Sequence, residues 1–401
     1  MKKIFKYGLF ILIAVIAPFV IANEILRWTW FRNYPLKKIT RWDAQLIHTL
    51  KPNFKGSLPI GVVTADAWQG KNAYWHMQTN SQQFRSMEEI KPRQPGVFRI
   101  ICLGDSVTMG LEVDDQYTYP AQLQPIINWA LNGRIKVEVI NAGVWGYSSR
   151  QGLVYLDQRL LKYDPDLVIL EFGINDSRSA LLPHYPDKQI IKGDITNGWR
   201  KLYYSPLGAF SLIIYEQPLV VFIKNFMLVL DVADLMRKLE QMDKNKIPKQ
   251  SGLEPGRYKN IRVPPKDFIE NYMQFIILAK QKGFRLMFYI PYGNPAIFRY
   301  QVLGLAQEYK IPVKDFSGRF DSPNLQELVN NPVHKQLLTF YREKLGDEFL
   351  KKNPRYLVST DNGIHLNAVG KRIVAEEMAR TIISAFPSPI NPAPAPKPAQ
   401  P

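Results

Sequence analysis

Residues 97–106 read Val-Phe-Arg-Ile-Ile-Cys-Leu-Gly-Asp-Ser, an apolar run broken only by Arg99 and followed by a glycine, an acid and a small hydroxyl. A short apolar run that ends in turn residues has the pattern of a strand buried on both faces. Open α/β sheets carry their chemistry at the carboxyl ends of such strands, so Ser106 stands where a nucleophile would be held. The tripeptide Gly104-Asp105-Ser106 is common by chance, and its weight depends on what the other strand ends carry.

Four further runs share this character, at residues 136–141 (KVEVIN), 167–172 (LVILEF), 284–290 (FRLMFYI) and 311–316 (IPVKDF). Amphipathic helical patterns accompany them at 119–131, 150–162, 267–281, 296–309 and 368–386. Strands alternating with helices of this length predict an α/β domain whose parallel sheet is covered on both faces. With 46% hydrophobic and 12% aromatic residues, the 401-residue chain can bury a large core. The expected organisation is a membrane anchor or signal peptide over 1–27, a separate and partly β extension over 28–95, the α/β domain over 96–386 and a Pro/Ala-rich tail over 387–401. Thr79-Asn80-Ser81-Gln82-Gln83-Phe84-Arg85 reads as the last strand and turn of the extension. Within the α/β domain, residues 186–262 break the alternation. Their apolar part, 207–235, is interrupted by Glu216, Lys224 and Asp231, which argues against a second membrane span. It reads as a helical insertion, either extra core helices or a lid over the site.

The formal charge is +17, but the basic residues are scattered and interleaved with Asp and Glu. No nucleic-acid-binding motif is present, so nucleic acid is not an expected partner; anionic lipid or an acidic envelope polymer suits the charge better. Cys102 is the single cysteine, which excludes an internal disulfide, and its place in the apolar run predicts buried packing. The acidic and histidine residues show no metal-ligand spacing, and neither a metal nor another cofactor is expected. Lys2, Lys3 and Lys6 precede an uncharged run over 7–23, the order of an export signal. Val20-Ile21-Ala22 offers a cleavage site, whereas Trp28, Trp30 and Phe31, flanked by Arg27 and Arg32, resemble an interfacial belt and favour an uncleaved anchor. The bulk of the chain is then expected outside the cytoplasm, membrane-anchored or, alternatively, secreted after cleavage. The tail PSPINPAPAPKPAQP favours extended polyproline geometry.

Groups at several carboxyl ends of a parallel sheet converge on one crevice. The second strand leads into Asn141-Ala142-Gly143-Val144-Trp145-Gly146-Tyr147-Ser148, and the third into Gly173-Ile174-Asn175-Asp176. Glycine allows close backbone approach and Asn offers an amide donor, so Gly146 N–H and Asn175 are candidates for holding an oxyanion; for either alone an ordinary turn explains the residues as well. A serine needs a base, and the chain has five histidines: His48, His76, His184, His334 and His365. His48 and His76 precede the α/β domain, His184 opens the insertion, and His334 lies in a polar helix-like segment. His365 sits in Thr360-Asp361-Asn362-Gly363-Ile364-His365-Leu366-Asn367, beside an acid and just before the last helix.

These four blocks in this order, over roughly residues 97–385, resemble the SGNH (GDSL-type) hydrolase superfamily. Tyr119-Pro120 and Leu366-Asn367 with Gly370 match its habit as well. The resemblance implies a three-layer α/β/α sandwich with a flavodoxin-like parallel sheet and serine-dependent hydrolysis of acyl esters. It further implies Ser106 as nucleophile, His365 as base, and an oxyanion hole made by Ser106, Gly146 and Asn175. The superfamily usually has Asp three residues before the His. Here Asn362 holds that place and Asp361 lies one residue earlier, so Asp361 is expected to orient His365, with Asn362 as the alternative. No Gly-x-Ser-x-Gly elbow supports the rival α/β-hydrolase architecture. The expected substrate is an acyl ester, on an envelope glycan or a lipid. Acyl transfer to an envelope polysaccharide with the same triad, or a non-catalytic membrane-tethered assembly role, are the alternatives.

Overall fold

The computed structural model describes residues 38–61, 66–178, 187 and 261–386 except positions 44, 69, 322 and 362, together with position 21. The apolar run at 7–23, nearly all of the insertion and the proline-rich tail fall outside these residues. Among the described residues no helix is long and apolar enough to cross a membrane. The chain divides into two compact units, and the one formed by Ile39–Gly193 with Tyr258–Pro401 carries the sheet.

Nine strands are described: β1 Thr40–Asp43, β2 Ile47–Leu50, β3 Lys55–Pro59, β4 Tyr74–Gln78, β5 Val97–Gly104, β6 Lys136–Gly143, β7 Leu167–Glu171, β8 Arg285–Ile290 and β9 Val313–Asp315. The helices are α1 Ser106–Met109, α2 Tyr119–Leu131, α3 Ser149–Tyr155, α4 Pro265–Lys282, α5 Ala296–Tyr309, α6 Leu325–Asn330, α7 Pro332–Leu345, α8 Asp347–Lys352 and α9 Ala368–Ala385. The last five strands form one sheet in the order β6-β5-β7-β8-β9, with every pair parallel. The chain steps from β5 to β6 in one direction and then past β5 to β7 in the other. Such a reversal opens a crevice beyond the strand ends, here between β5 and β7. Helix α2 packs on α9, and α3 packs on α4.

Every residue of β5 and of β7 is buried, which explains their unbroken apolar character. The exceptions are Glu171, at the end of β7, and Arg99, whose charge is satisfied. Its guanidinium donates to Glu138 Oε2 at 2.8 Å and to the carbonyls of Tyr163 and Lys91, each at 2.8 Å, so a buried charge is paired and hydrogen-bonded. Helices α2 and α5 run over the residues expected. The helix expected at 150–162 is regular only to Tyr155 and continues as a wide turn over Leu156–Leu160 and a tight one over Leu161–Tyr163.

The region before the sheet differs from its reading as a separate extension. It forms two antiparallel pairs, β1 with β2 and β3 with β4, within the same compact unit as the parallel sheet. Its last strand is Tyr74–Gln78, and residues 79–85 are turn and coil. Long-range polar contacts fasten it. Buried Arg85 pairs with Asp115 at 2.7 Å and donates to the carbonyls of Met109, Gly110 and Val113. Trp68 Nε1 donates to Thr360 O at 2.7 Å, His48 Nε2 to Trp145 O at 2.7 Å, and Arg159 grips both oxygens of Asp43 at 2.8 Å. Thr360 and Trp145, and the segment that follows Ser106, all belong to the loops at the carboxyl end of the sheet.

Candidate active site

Ser106 opens α1 at the end of β5, 6% exposed. The sharp strand-to-helix turn is held by Asp105, whose Oδ1 accepts from Val107 N at 2.8 Å. Glycine is required at 104, because a Cβ there would press on Thr108 Oγ1 and Glu171 Oε2.

Ser106 Oγ lies 3.0 Å from His365 Nε2, and His365 Nδ1 lies 2.5 Å from Asp361 Oδ2. The other Asp361 oxygen accepts from the backbone N–H groups of Gly363, at 3.1 Å, and His365, at 2.9 Å. That wrap curls the loop so that an acid four residues before the histidine meets its ring. Thr360 N donates to His365 O and Asn367 N to Val358 O, each at 2.9 Å, closing the loop from both sides. Asn367 then caps α9. Asn362 lies outside the described residues. Two other histidines have partners of their own: His76 Nδ1 is 3.0 Å from Asp114 and His334 Nε2 is 3.4 Å from Glu376.

The charges support a base and its orienter. Burial opposes charge on Asp361, but its hydrogen bonds to His365 and the imidazolium's charge outweigh this and hold the carboxyl below its ordinary value. Burial likewise opposes charge on His365, and there the Asp361 hydrogen bond and the Asp361 and Glu112 charges win, raising the imidazole above 6.5. If neutral His365 is the active form, kcat/KM rises with pH through an apparent pKa above 6.5 and is lost below it; a pH–rate profile reads this directly.

Asn175 Nδ2 donates to Asp105 Oδ2 at 2.6 Å, which joins the loop after β7 to the nucleophile turn. An amide nitrogen carries two protons, and this bond uses one of them. Asp176 anchors the same loop, accepting from Gly173 N at 3.0 Å and from Ser149 N and Oγ at 3.0 and 2.5 Å. Burial pushes it up to about 7. Gly146 follows β6 at φ +75°, a value that L side chains rarely adopt, and its carbonyl accepts from Arg262 Nη1 at 2.5 Å. Thus Ser106, His365 and Asp361 form one hydrogen-bonded chain, Asn175 is tied to it through Asp105, and Gly146 is held in a neighbouring strand-end loop.

Buried polar residues that the sequence reading passed over support this arrangement. Glu171, at the end of β7, accepts from Asp105 N at 3.1 Å and Thr108 Oγ1 at 3.0 Å. Burial, with the Asp105 charge beside it, drives its pKa well up. Fully buried Lys371 on α9 donates to Val107 O, bridging the helix after His365 to the turn of Ser106. Burial lowers Lys371 to about 8 against the opposing pull of Glu171 and Asp105. Asp187, 0% exposed, pairs with Arg262 at 2.8 Å, and Ser148 Oγ donates to it at 2.6 Å. Glu171 and Lys371 gave no signal in the sequence, since a lone charge in a strand or helix is ordinarily solvated.

A parallel sheet with a Ser–His–Asp chain at its carboxyl edge defines the class of serine hydrolase sites. Residues 102–217 match the model of the GDSL-like Lipase/Acylhydrolase family. An acetylxylan esterase of Xylanibacter ruminicola is 31% identical over 98 residues, 23% of this chain and 20% of the relative. An arylesterase of Vibrio mimicus is 32% identical over 85 residues, 21% of this chain and 41% of the relative. The chain thus spans less than half the length of these curated relatives. A lipase/acylhydrolase structure from Enterococcus faecalis aligns over 72% of this chain and 96% of its own at 16% identity, with a TM-score of 0.34.

Proposed function

We propose that the protein is a serine-dependent hydrolase of carboxylic acyl esters that works through an acyl-enzyme. The observation that carries this reading is the unbroken Ser106–His365–Asp361 chain, with links of 3.0 and 2.5 Å, at the carboxyl edge of a parallel sheet. The family match and the esterase relatives support it. The strand order and the helix pairs α2–α9 and α3–α4 support the three-layer, flavodoxin-like arrangement.

In this mechanism His365 Nε2 takes the proton of Ser106 Oγ as that oxygen attacks the ester carbonyl. Asp361 holds the Nδ1–H tautomer and stabilises the imidazolium. The carbonyl oxygen becomes an oxyanion received by the N–H groups of Ser106 and Gly146 and the side-chain amide of Asn175. His365 returns its proton to the departing alcohol, leaving the acyl group on Ser106 Oγ. Water then attacks the acyl-enzyme and gives a proton to His365, which passes it to the departing Ser106 Oγ as the acid is released.

Asn175→Ala is expected to lower kcat about 10²–10³-fold, the usual cost of one oxyanion donor. Steady-state kinetics on p-nitrophenyl acetate measure this, and circular dichroism checks that the variant stays folded. The proposed substrate is an O-acylated envelope glycan or a lipid ester, met outside the cytoplasm. Export and tethering rest on Lys2, Lys3 and Lys6 followed by the uncharged run over 7–23. Initial rates across acetyl, medium-chain and long-chain p-nitrophenyl esters test the acyl preference, and alkali extraction of the full-length protein tests the anchor.

A further inference from the structure

The residues assigned to the reaction all follow position 96, yet one side chain from the N-terminal strand pairs reaches the loop that carries Gly146. His48, on β2, places Nε2 2.7 Å from Trp145 O. A carbonyl oxygen can only accept, so Nε2 carries the proton and donates it. That carbonyl belongs to the peptide unit whose N–H is the amide of Gly146. The unit is planar and trans, so its C=O and N–H point in opposite directions. Fixing the oxygen on His48 therefore fixes the direction of Gly146 N–H.

The grip on this loop is built from several sides. Tyr147 Oη donates to His48 O at 2.8 Å, and the Tyr147 ring meets the imidazole edge-on with centroids 5.3 Å apart. The next carbonyl, Gly146 O, is held by Arg262, itself clamped by buried Asp187. A Cβ at Gly146 would come within 4.0 Å of the His48 ring. Two successive carbonyls are thus anchored by side chains distant in sequence, and the Gly146 amide lies between them. Burial, with help from the Arg262 charge and against the Trp145 hydrogen bond and the Asp43 and Asp187 charges, pushes His48 down to about 4. At neutral pH the ring is therefore an uncharged donor.

We propose that His48 is a positioning residue for ester hydrolysis, aiming the Trp145–Gly146 peptide so that Gly146 N–H receives the oxyanion. This rests on the acyl-ester reading of the site and gives the N-terminal strand pairs a part in the chemistry.

The test compares wild type, His48→Phe, His48→Gln and His48→Asn on p-nitrophenyl acetate, with Ser106→Ala assayed in parallel. His48→Phe should lower kcat about 10–100-fold with KM within about twofold, because a misaimed donor weakens the transition state more than the ground state. The Gln amide nitrogen reaches about as far as Nε2, so His48→Gln should recover most of kcat; the shorter His48→Asn should recover less. A His48→Phe enzyme with kcat within twofold of wild type overturns the proposal. Should the Phe variant not fold, equal kcat in His48→Gln and His48→Asn overturns it instead. Turnover surviving in Ser106→Ala would bring down the acyl-ester reading itself. An inactive Ser106→Ala beside unaffected His48 variants removes only the positioning role.

Discussion

Ser106→Ala should abolish ester turnover while leaving the fold intact. Loss of the nucleophile in a serine–histidine–acid site costs on the order of 10⁴–10⁶ in kcat, and what remains is the catalysis given by oxyanion donors and substrate binding. Stability should change little, because the turn at Ser106 is held by neighbours: Asp105 caps α1, Lys371 binds Val107 O, and Glu171 accepts from Asp105 N. The Ser106 hydroxyl contributes the hydrogen bond to His365. Hydrolysis of p-nitrophenyl acetate and labelling by a fluorophosphonate probe should vanish together, with an unchanged circular dichroism spectrum. A variant that kept more than about 1% of wild-type kcat would move the nucleophile elsewhere.

The second large effect is expected at Asp361. In Asp361→Asn the oxygen that accepts from Gly363 and His365 can be kept, so the loop retains its shape. The group facing His365 Nδ1 then becomes a donor. The imidazole must accept there and carry its proton on Nε2, the tautomer that cannot take a proton from Ser106. Such a swap costs about 10³–10⁴-fold in kcat. The acid limb of the pH–rate profile should move as well. The Asp361 hydrogen bond and charge raise the His365 pKa, so the variant's residual activity should persist to lower pH than that of wild type. Asn362→Ala should change kcat only a few-fold. Full turnover in Asp361→Asn with loss in Asn362→Ala would reverse the assignment.

The sequence made the sheet legible because its strands are buried on both faces, as in Ile100-Ile101-Cys102-Leu103 and Leu167-Val168-Ile169-Leu170, where little but packing constrains the residues. Helix α2 was legible because Thr118 caps it and Pro120 fits its first turn. The attachment of residues 39–95 was not, because it depends on single contacts across long separations: His48 to Trp145, Trp68 to Thr360, Arg85 to the segment after Ser106. Nothing in local periodicity encodes such pairs. His48 was set aside as a base by its place in the chain, and that reasoning could not see a donor to a backbone carbonyl. Glu171 is one acid in an apolar run and Lys371 one basic residue beside Arg372 in a helical pattern, so neither stands out in the sequence. Their burial becomes visible only once β5, β7 and α9 are brought together.

The stem of the insertion bears on how this chain can change. Asp187 N donates to Arg262 O at 2.7 Å, Arg262 N to Arg178 O at 2.8 Å, and Val263 N to Asp176 O at 3.1 Å. Asp187 and Arg262 are therefore latched together beside Asp176. Closing a longer loop costs only slowly more entropy, about 0.6 kcal/mol per doubling of its length. A change in the length of the chain between Asp187 and Arg262 is thus a small entropic matter, because these hydrogen bonds hold its two ends beside the loop of Asp176 whatever lies between them.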